Sequence, residues 1–365
     1  MKKFTKLALI SSMAISANAM AMQAMDDSAL SATTGQDGIN IGIGISKITI
    51  DKLFIHDNDG LAANGTVGTT AGSGGTGKAG AIVIQGITDT DLQKTITTTN
   101  GSTFDNKDFG LYIGANYSGA GANLLTSKNL ADIRIDSDAG TSATGGAFLN
   151  IAAEVSGLEI HIGEVGVTAS NDKPGATATS IRRGGDLAGN YNAILGGLSI
   201  LTGKMNANIQ VGAAPQGAMI KLDSKMLGGL EIKALSLLDQ STKGKSVGTV
   251  DGLPTGTAIA STKAGEIYVE SIKIADADKK DLTISSNISV YNDAYVGSTS
   301  TVGKAAHIRI LNNDTGAKDQ YISGIHLGKR NGGSIGDMEV QGLQTYYSPS
   351  LGVYNKGSIL SISGR

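Results

Sequence analysis

The chain of 365 residues contains no cysteine and no tryptophan, only four prolines and 4% aromatic residues. Without cysteine it cannot form disulfide bonds, so strand pairing and apolar packing must stabilise the fold. The same absence excludes a thiol nucleophile. The formal net charge is −2 and no long run of lysine or arginine follows the N-terminal residues, so a nucleic-acid partner is not expected.

The N-terminal residues have the three parts of an export signal in the usual order. Three lysines lie among the first six residues, residues 7–15 form an apolar stretch, and Ala17 and Ala19 complete a small-x-small cleavage site. An apolar stretch of about nine residues is too short to span a bilayer. We therefore expect a signal peptide at 1–19, with cleavage after residue 21 as an alternative, and export through the Sec pathway. No transmembrane helix is predicted in the mature chain.

Beyond the signal, the sequence predicts a short helical leader and then one long β-rich region. Residues 20–38 form the leader, within which apolar residues of 22–34 fall near one helical face and Gly35 stands where a C-cap glycine belongs. From Ile39 onward apolar residues alternate with small or polar ones, and Gly/Thr/Ser-rich stretches separate the alternating runs. We expect residues 39–365 to form a single all-β domain with long loops.

An eight-residue pattern, apolar at its first, third, sixth and eighth positions, recurs along this region. Full matches start at Ile48, Ile160, Leu230 and Ile267, and partial matches at Ile82 and Met338. The starts are separated by about one or two times 36 residues, a spacing typical of stacked modules. The extra residue between the third and sixth positions is typical of a corner or bulge. We expect an elongated β-solenoid or stacked β-sheet module, with a β-barrel as the alternative, although chance recurrence explains the pattern equally well.

Acidic turns are the only candidate metal ligands. Acidic turns recur after apolar runs, and the candidate Ca²⁺ ligands are Asp57 with Asp59 and Asp136 with Asp138, each pair two residues apart. Such pairs can converge on Ca²⁺, but Asp also caps its own backbone in turns, which is the favoured interpretation. No other cofactor and no catalytic residue is predicted.

The strand next to the leader is a candidate assembly strand. Ile39, Ile41, Ile43 and Ile45 share one face of a short strand without charge. Such a strand can insert into the open sheet of a neighbouring subunit. Pairing within its own chain is the favoured alternative.

Residues 22–38 carry a resemblance to a known family. They read Met-Gln-Ala-Met-Asp-Asp-Ser-Ala-Leu-Ser-Ala-Thr-Thr-Gly-Gln-Asp-Gly. This segment resembles the pattern Met-Gln-x-(Leu/Met)-Asp-Asp-x-x-Leu-Ser-x-(Val/Thr)-(Ser/Thr)-Gly-Gln-x-Gly that opens the mature region of FilA-type pilus assembly proteins of Gram-negative bacteria. The resemblance, extending to about residue 45, implies a role in the cell envelope or fimbriae. The chain differs from chaperone–usher pilins in its size and in lacking their disulfide.

These observations favour a non-enzymatic exported protein of the cell surface, fimbria or outer membrane, acting as a pilus component or assembly factor. The expected partners are other pilus or envelope proteins and further copies of the chain. One alternative is a surface adhesin or carbohydrate-binding β-solenoid, whose loops would present a repeated binding face. An outer-membrane β-barrel and a polysaccharide-acting enzyme are the remaining alternatives.

Overall fold

A computed structural model describes residues 38–62, 74–243, 263–292 and 306–363. Strands account for 57% of the described residues and helical turns for 3%, which confirms the all-β prediction. The signal peptide at 1–19 and the helical leader at 20–38, apart from Gly38, lie outside the described residues. No helix in the part of the chain that the structure describes is long and apolar enough to cross a membrane.

Twenty-four strands are present in the described residues. In chain order they are β1 (Ile39–Ile43), β2 (Lys47–Ile50), β3 (Lys52–Asp57), β4 (Gly80–Gln85), β5 (Thr95–Thr97), β6 (Thr103–Asp105), β7 (Leu111–Ala115), β8 (Ala131–Asp138), β9 (Phe148–Val155), β10 (Leu158–Ile162), β11 (Glu164–Ala169), β12 (Tyr191–Leu195), β13 (Leu198–Leu201), β14 (Lys204–Gly212), β15 (Ile220–Met226), β16 (Leu230–Asp239), β17 (Gly265–Asp276), β18 (Leu282–Tyr291), β19 (His307–Asn312), β20 (Lys318–Gly328), β21 (Ser334–Leu343), β22 (Tyr346–Ser350), β23 (Val353–Lys356) and β24 (Ser358–Ser363). Three short 3-10 turns occupy Gly119–Gly121, Ser142–Thr144 and Gln240–Thr242.

Most strands belong to two large antiparallel sheets. The first sheet has eight strands in the order β1-β8-β9-β14-β15-β18-β19-β24, and the second has twelve. The chain passes repeatedly from one sheet into the other. Strands that follow one another in this way lie end to end, and each such line pairs with the next line in both sheets. We call each such line of strands a row. Rows 1 to 8, in order across both sheets, are β1–β2–β3, β4–β7–β8, β9–β10–β11, β12–β13–β14, β15–β16, β17–β18, β19–β20, and β21 with β24. The hairpin β22–β23 lies between the two strands of row 8 in the sequence.

The rows form an up-and-down meander that leaves both sheets open. Each row pairs antiparallel with the next one along the chain, and in the described residues row 1 and row 8 are not paired with each other. The described residues thus form two large antiparallel sheets, each with two open edges. Antiparallel neighbours can be joined by short connections, as residues 329–333 join rows 7 and 8, whereas the longer segment 170–190 joins rows 3 and 4.

A corner crosses the second sheet at the extra residue of the eight-residue pattern. Row 1 breaks at Asp51, between β2 and β3, and row 3 breaks at Gly163, between β10 and β11. In row 5, Ala234 has a φ of +57° and is skipped in the pairing with row 6. Side chains on the two sides of each corner can then keep the same apolar face, as expected when one residue is inserted into an alternating strand.

Residues 86–110 leave row 2 at this corner and pack on the polar face of the second sheet at rows 2 and 3. We call this insertion the arm; it contains the hairpin β5–β6. Phe104 of the arm stacks on Tyr112 with ring centroids 4.7 Å apart, and it forms a T-shaped contact with His161 with ring centroids 5.4 Å apart. Leu92 and Ile87 of the arm are buried. The arm therefore encloses the small core of this region against rows 2 and 3.

Candidate functional site

The most extensive feature of the molecule is a pair of apolar ladders that run across all eight rows. The first ladder crosses the first sheet through directly paired residues: Ile39, Ile135, Ile151, Ile209, Ile220, Ile288, Ile310 and Leu360. The second ladder crosses the second sheet in the same way: Ile48, Ile113, Ile160, Ile200, Ile232, Ile272, Ile322 and Met338. Directly opposed β-branched side chains stabilise neighbouring strands.

Both ladders run out to the sheet edges, where their last members are exposed. In row 1, Ile39 is 44% and Ile48 38% exposed; in row 8, Leu360 is 53% and Met338 47% exposed. In the described part of the chain, β1, β2, β3, β21 and β24 each pair on one side only. An unpaired strand offers its backbone N–H and C=O groups to another strand. Each edge therefore combines free pairing groups with exposed apolar side chains.

A polar ladder lies directly beside the second apolar ladder and carries charges of opposite sign at its two ends. It comprises, in row order, Lys47, Gly114, Glu159, Leu201, Glu231, Lys273, Tyr321 and Glu339. Lys47 and Glu339 are both exposed. Within the ladder, the Glu231 carboxylate already forms a cross-strand ion pair with Lys273 at 3.8 Å.

The structure places the candidate assembly strand at the first edge. Ile39, Ile41 and Ile43 belong to β1, which pairs with β8 of its own chain, as the favoured alternative expected. Ile45 follows the strand and is 43% exposed. β1 is thus an edge strand whose inner side is paired, and nothing in the described residues pairs with its outer side.

The four candidate Ca²⁺ ligands lie in two separate places. Asp57 ends β3 and its Oδ1 accepts backbone N–H groups of Asp59 and Gly60, both at 3.3 Å. Asp136 and Asp138 lie in β8 of the other sheet. Among the described residues no group of three or more His, Asp or Glu side chains could hold a metal. The turn at Asp57 thus has the self-capping geometry that the sequence favoured.

A polar cluster that the sequence did not reveal joins the arm to the sheet. Glu164, 1% exposed, accepts hydrogen bonds from the Thr88 hydroxyl at 2.8 Å and the Tyr191 hydroxyl at 2.6 Å. Burial, followed by the hydrogen bond to Glu164, raises the pKa of Tyr191, so the phenol stays protonated and donates. Glu164 therefore connects the arm, row 3 and row 4 through one buried carboxylate.

Two further glutamates extend this cluster. Glu159 accepts from the backbone N–H of Thr99 at 2.7 Å and lies 2.7 Å from Nε2 of His161. Glu266 is bound by Arg330, with Nη2 2.6 Å from Oε1 and the backbone N–H of Arg330 2.9 Å from Oε2. Burial alone would raise the pKa of both carboxyls, but the hydrogen bonds that each accepts outweigh it and hold each pKa below its usual value.

An open cavity of about 500 Å³ lies between the arm and the loop after row 7. Its polar lining includes Asp89, Glu164, Tyr191, Lys263, Glu266 and Arg330. Lys263 binds Asp89 at 2.6 Å and Asp91 at 2.7 Å, and Arg330 also lies 4.8 Å from the ring centroid of Tyr268. Lys263 is thus bound to two carboxylates of the arm, and Arg330 binds the loop after row 7 to Glu266 of row 6.

Comparison with known proteins gives one match. A family model described as "Family of unknown function (DUF6160)" matches residues 1–115. This region includes all of row 1, the arm and two strands of row 2, whereas rows 3–8 lie beyond it. No curated protein and no solved structure matches the chain.

Proposed function

We propose that the protein is a non-enzymatic, exported component of the cell envelope that takes part in a fimbria or pilus, as a subunit or an assembly factor. The observation that carries this proposal is the open sheet whose apolar ladders end at two unpaired edges. Proteins with long unpaired edges generally protect them against association. Edges that combine unpaired backbone with exposed ladder residues are suited to pairing with another chain.

Two features of the sequence support the same proposal. The export signal at 1–19 would deliver the chain beyond the cytoplasm. The resemblance of residues 22–38 to FilA-type pilus assembly proteins points to the envelope, and the edge strand β1 follows that segment directly. The proposed localisation is the cell surface, a fimbria or the outer membrane.

Immunogold electron microscopy on whole cells tests the proposal. Antibody against the protein should label surface fibres, and cells that lack the protein should lose the label and change in fibre number or length. A matched strain that carries the wild-type gene in trans should regain both. Label confined to the cell interior, or fibres unchanged in the deletion strain and free of label in the wild type, would contradict it.

The cavity beside the arm favours a second candidate, a surface adhesin that binds a polar ligand such as a carbohydrate. Its Tyr191 and Arg330 side chains combine an aromatic or planar surface with hydrogen-bonding groups, a lining typical of ligand pockets. Binding of the purified protein to a glycan panel, lost in Lys329→Met at an exposed residue of the cavity lining and accompanied by unchanged fibres in the deletion strain, would favour this candidate. Absence of binding across the panel would count against it.

A further inference from the structure

We propose that copies of this chain associate edge to edge, with row 8 of one copy pairing antiparallel with row 1 of the next. In this arrangement Met338 of one copy faces Ile48 of the next, and Glu339 faces Lys47. The inference rests on the proposed function, because such pairing is how the protein would contribute to a fibre.

The number of rows makes this pairing continuous. Rows alternate in direction, and because there are eight of them, row 8 runs opposite to row 1. A second copy placed beside the first in the same orientation therefore presents an antiparallel row to the open edge. The sheet would continue across the boundary with the same pattern that joins rows within one copy.

Both apolar ladders can continue at once. Each ladder runs through directly paired residues from row 1 to row 8, so a copy placed beside row 1 or row 8 would continue each ladder within its own sheet. When Ile48 meets Met338, Ile39 therefore comes opposite Leu360. These four side chains are 38–53% exposed in the single copy, and facing one another would remove apolar surface from water at both ladders.

One pair of opposite charges, Lys47 and Glu339, would meet across the two edges in the same register. Lys47 and Glu339 are the end members of one ladder, each next in sequence to an end member of the second apolar ladder. The same ladder contains the Glu231–Lys273 ion pair between rows 5 and 6, so its geometry brings opposite charges within 3.8 Å. Opposite charges placed directly across two strands stabilise the pairing, and like charges destabilise it.

The two surfaces differ, so the contact is head to tail. A head-to-tail contact that does not close generates an open filament. Each copy would add eight rows at a strand spacing of about 4.8 Å, which gives an axial repeat of about 38 Å. A second copy is the occupant that supplies an antiparallel row with an end member of each apolar ladder and the opposite charge at Lys47 or Glu339.

Charge-reversal variants of the purified exported protein test the register. Light scattering gives the critical concentration for assembly of the wild type, Lys47→Glu, Glu339→Lys and the double variant. Each single variant should raise this concentration by about five- to tenfold, because an attraction becomes a repulsion. The double variant should return to within about twofold of the wild type. Lys173→Glu and Asp172→Lys are matched controls in the exposed segment between β11 and β12 and should behave as the wild type.

Mixing the two single variants is the most discriminating measurement of the experiment. In an equimolar mixture each altered edge meets an oppositely charged edge of the other variant, so assembly should return to about the wild-type level. Circular dichroism confirms that every variant is folded. Single variants that assemble as the wild type does, a mixture no better than its components, or a wild type that stays monomeric would overturn the inference.

The outcome separates this inference from the proposed function. If the protein labels surface fibres but charge reversal has no effect, the edge pairing is wrong and the fibre role stands. If the purified protein assembles with the expected charge dependence but never labels fibres, the edge pairing stands and the fibre role is wrong.

Discussion

Replacing Arg330 with methionine should loosen the loop after row 7 and the adjoining end of row 6. Arg330 contacts Glu266 through Nη2 at 2.6 Å and Nε at 3.0 Å, and both side chains are largely buried, at 16% and 7% exposure. Removing one member of a buried ion pair costs about 3–5 kcal/mol, since the other charge loses its partner. Glu266 keeps the Ser236 hydroxyl at 2.5 Å and a backbone N–H. We therefore expect the free energy of unfolding of Arg330→Met to fall by about 3 kcal/mol, at the lower end of that range.

Urea unfolding of four proteins measures this effect: the wild type, Arg330→Met, Glu266→Met and the double variant. The double variant removes both charges, so it should be more stable than Arg330→Met by about 1–2 kcal/mol. Hydrogen exchange should show faster exchange in Arg330→Met around Glu266 and its row 5 neighbour Ser236. A loss below about 1 kcal/mol in Arg330→Met, or strictly additive effects in the double variant, would refute the buried ion pair as the anchor of this loop.

Three further predictions concern the corner and the carboxylates. Ala234→Gly should stabilise the fold by up to about 1 kcal/mol, because the φ of +57° suits glycine; a lower urea midpoint would contradict it. Gly163→Ala should lower the free energy of unfolding by about 1–3 kcal/mol, since a Cβ would lie 2.2 Å from the backbone oxygen of Gln85. An unchanged urea midpoint would contradict this prediction. Glu159 and Glu266 have lowered pKa values, so the stability they contribute is present above the ordinary carboxyl pKa of 4.5 and is lost as the pH falls through their folded values. Hydrogen exchange, expressed at each pH as protection relative to the intrinsic exchange rate, should therefore show the arm losing protection as the pH falls below 4.5, whereas protection that does not change with pH would contradict it.

The local part of the fold could be predicted from the sequence. The alternation that begins at Ile39 corresponds to β1, and the extra residue of the eight-residue pattern corresponds to the breaks at Asp51 and Gly163. These features depend on the two-residue period of a strand, which is visible in any short stretch. The order of the rows was not visible in this way, because pairing joins residues far apart in the chain, as Ile48 and Ile113 are.

The polar cluster could not be predicted from the sequence either. Glu164 and Glu266 occupy ordinary polar positions of alternating strands, and their partners Tyr191 and Arg330 lie 27 and 64 residues away. Burial of these carboxylates follows from the arm and the loop after row 7, which pack over them in the folded chain. The one signal in the sequence is that Glu164 directly follows the Gly163 corner and precedes the apolar Val165, so it lies on the polar face that the arm covers.

The most direct test of edge-to-edge association is fibre diffraction or electron cryomicroscopy of assemblies grown from the purified exported protein. Edge-to-edge pairing predicts strands perpendicular to the fibre axis, a strand spacing of about 4.8 Å along that axis, and a subunit repeat of about 38 Å with row 8 beside row 1 of the next copy. Strands parallel to the axis, or subunits joined through the sheet faces with both edges left unpaired, would contradict it.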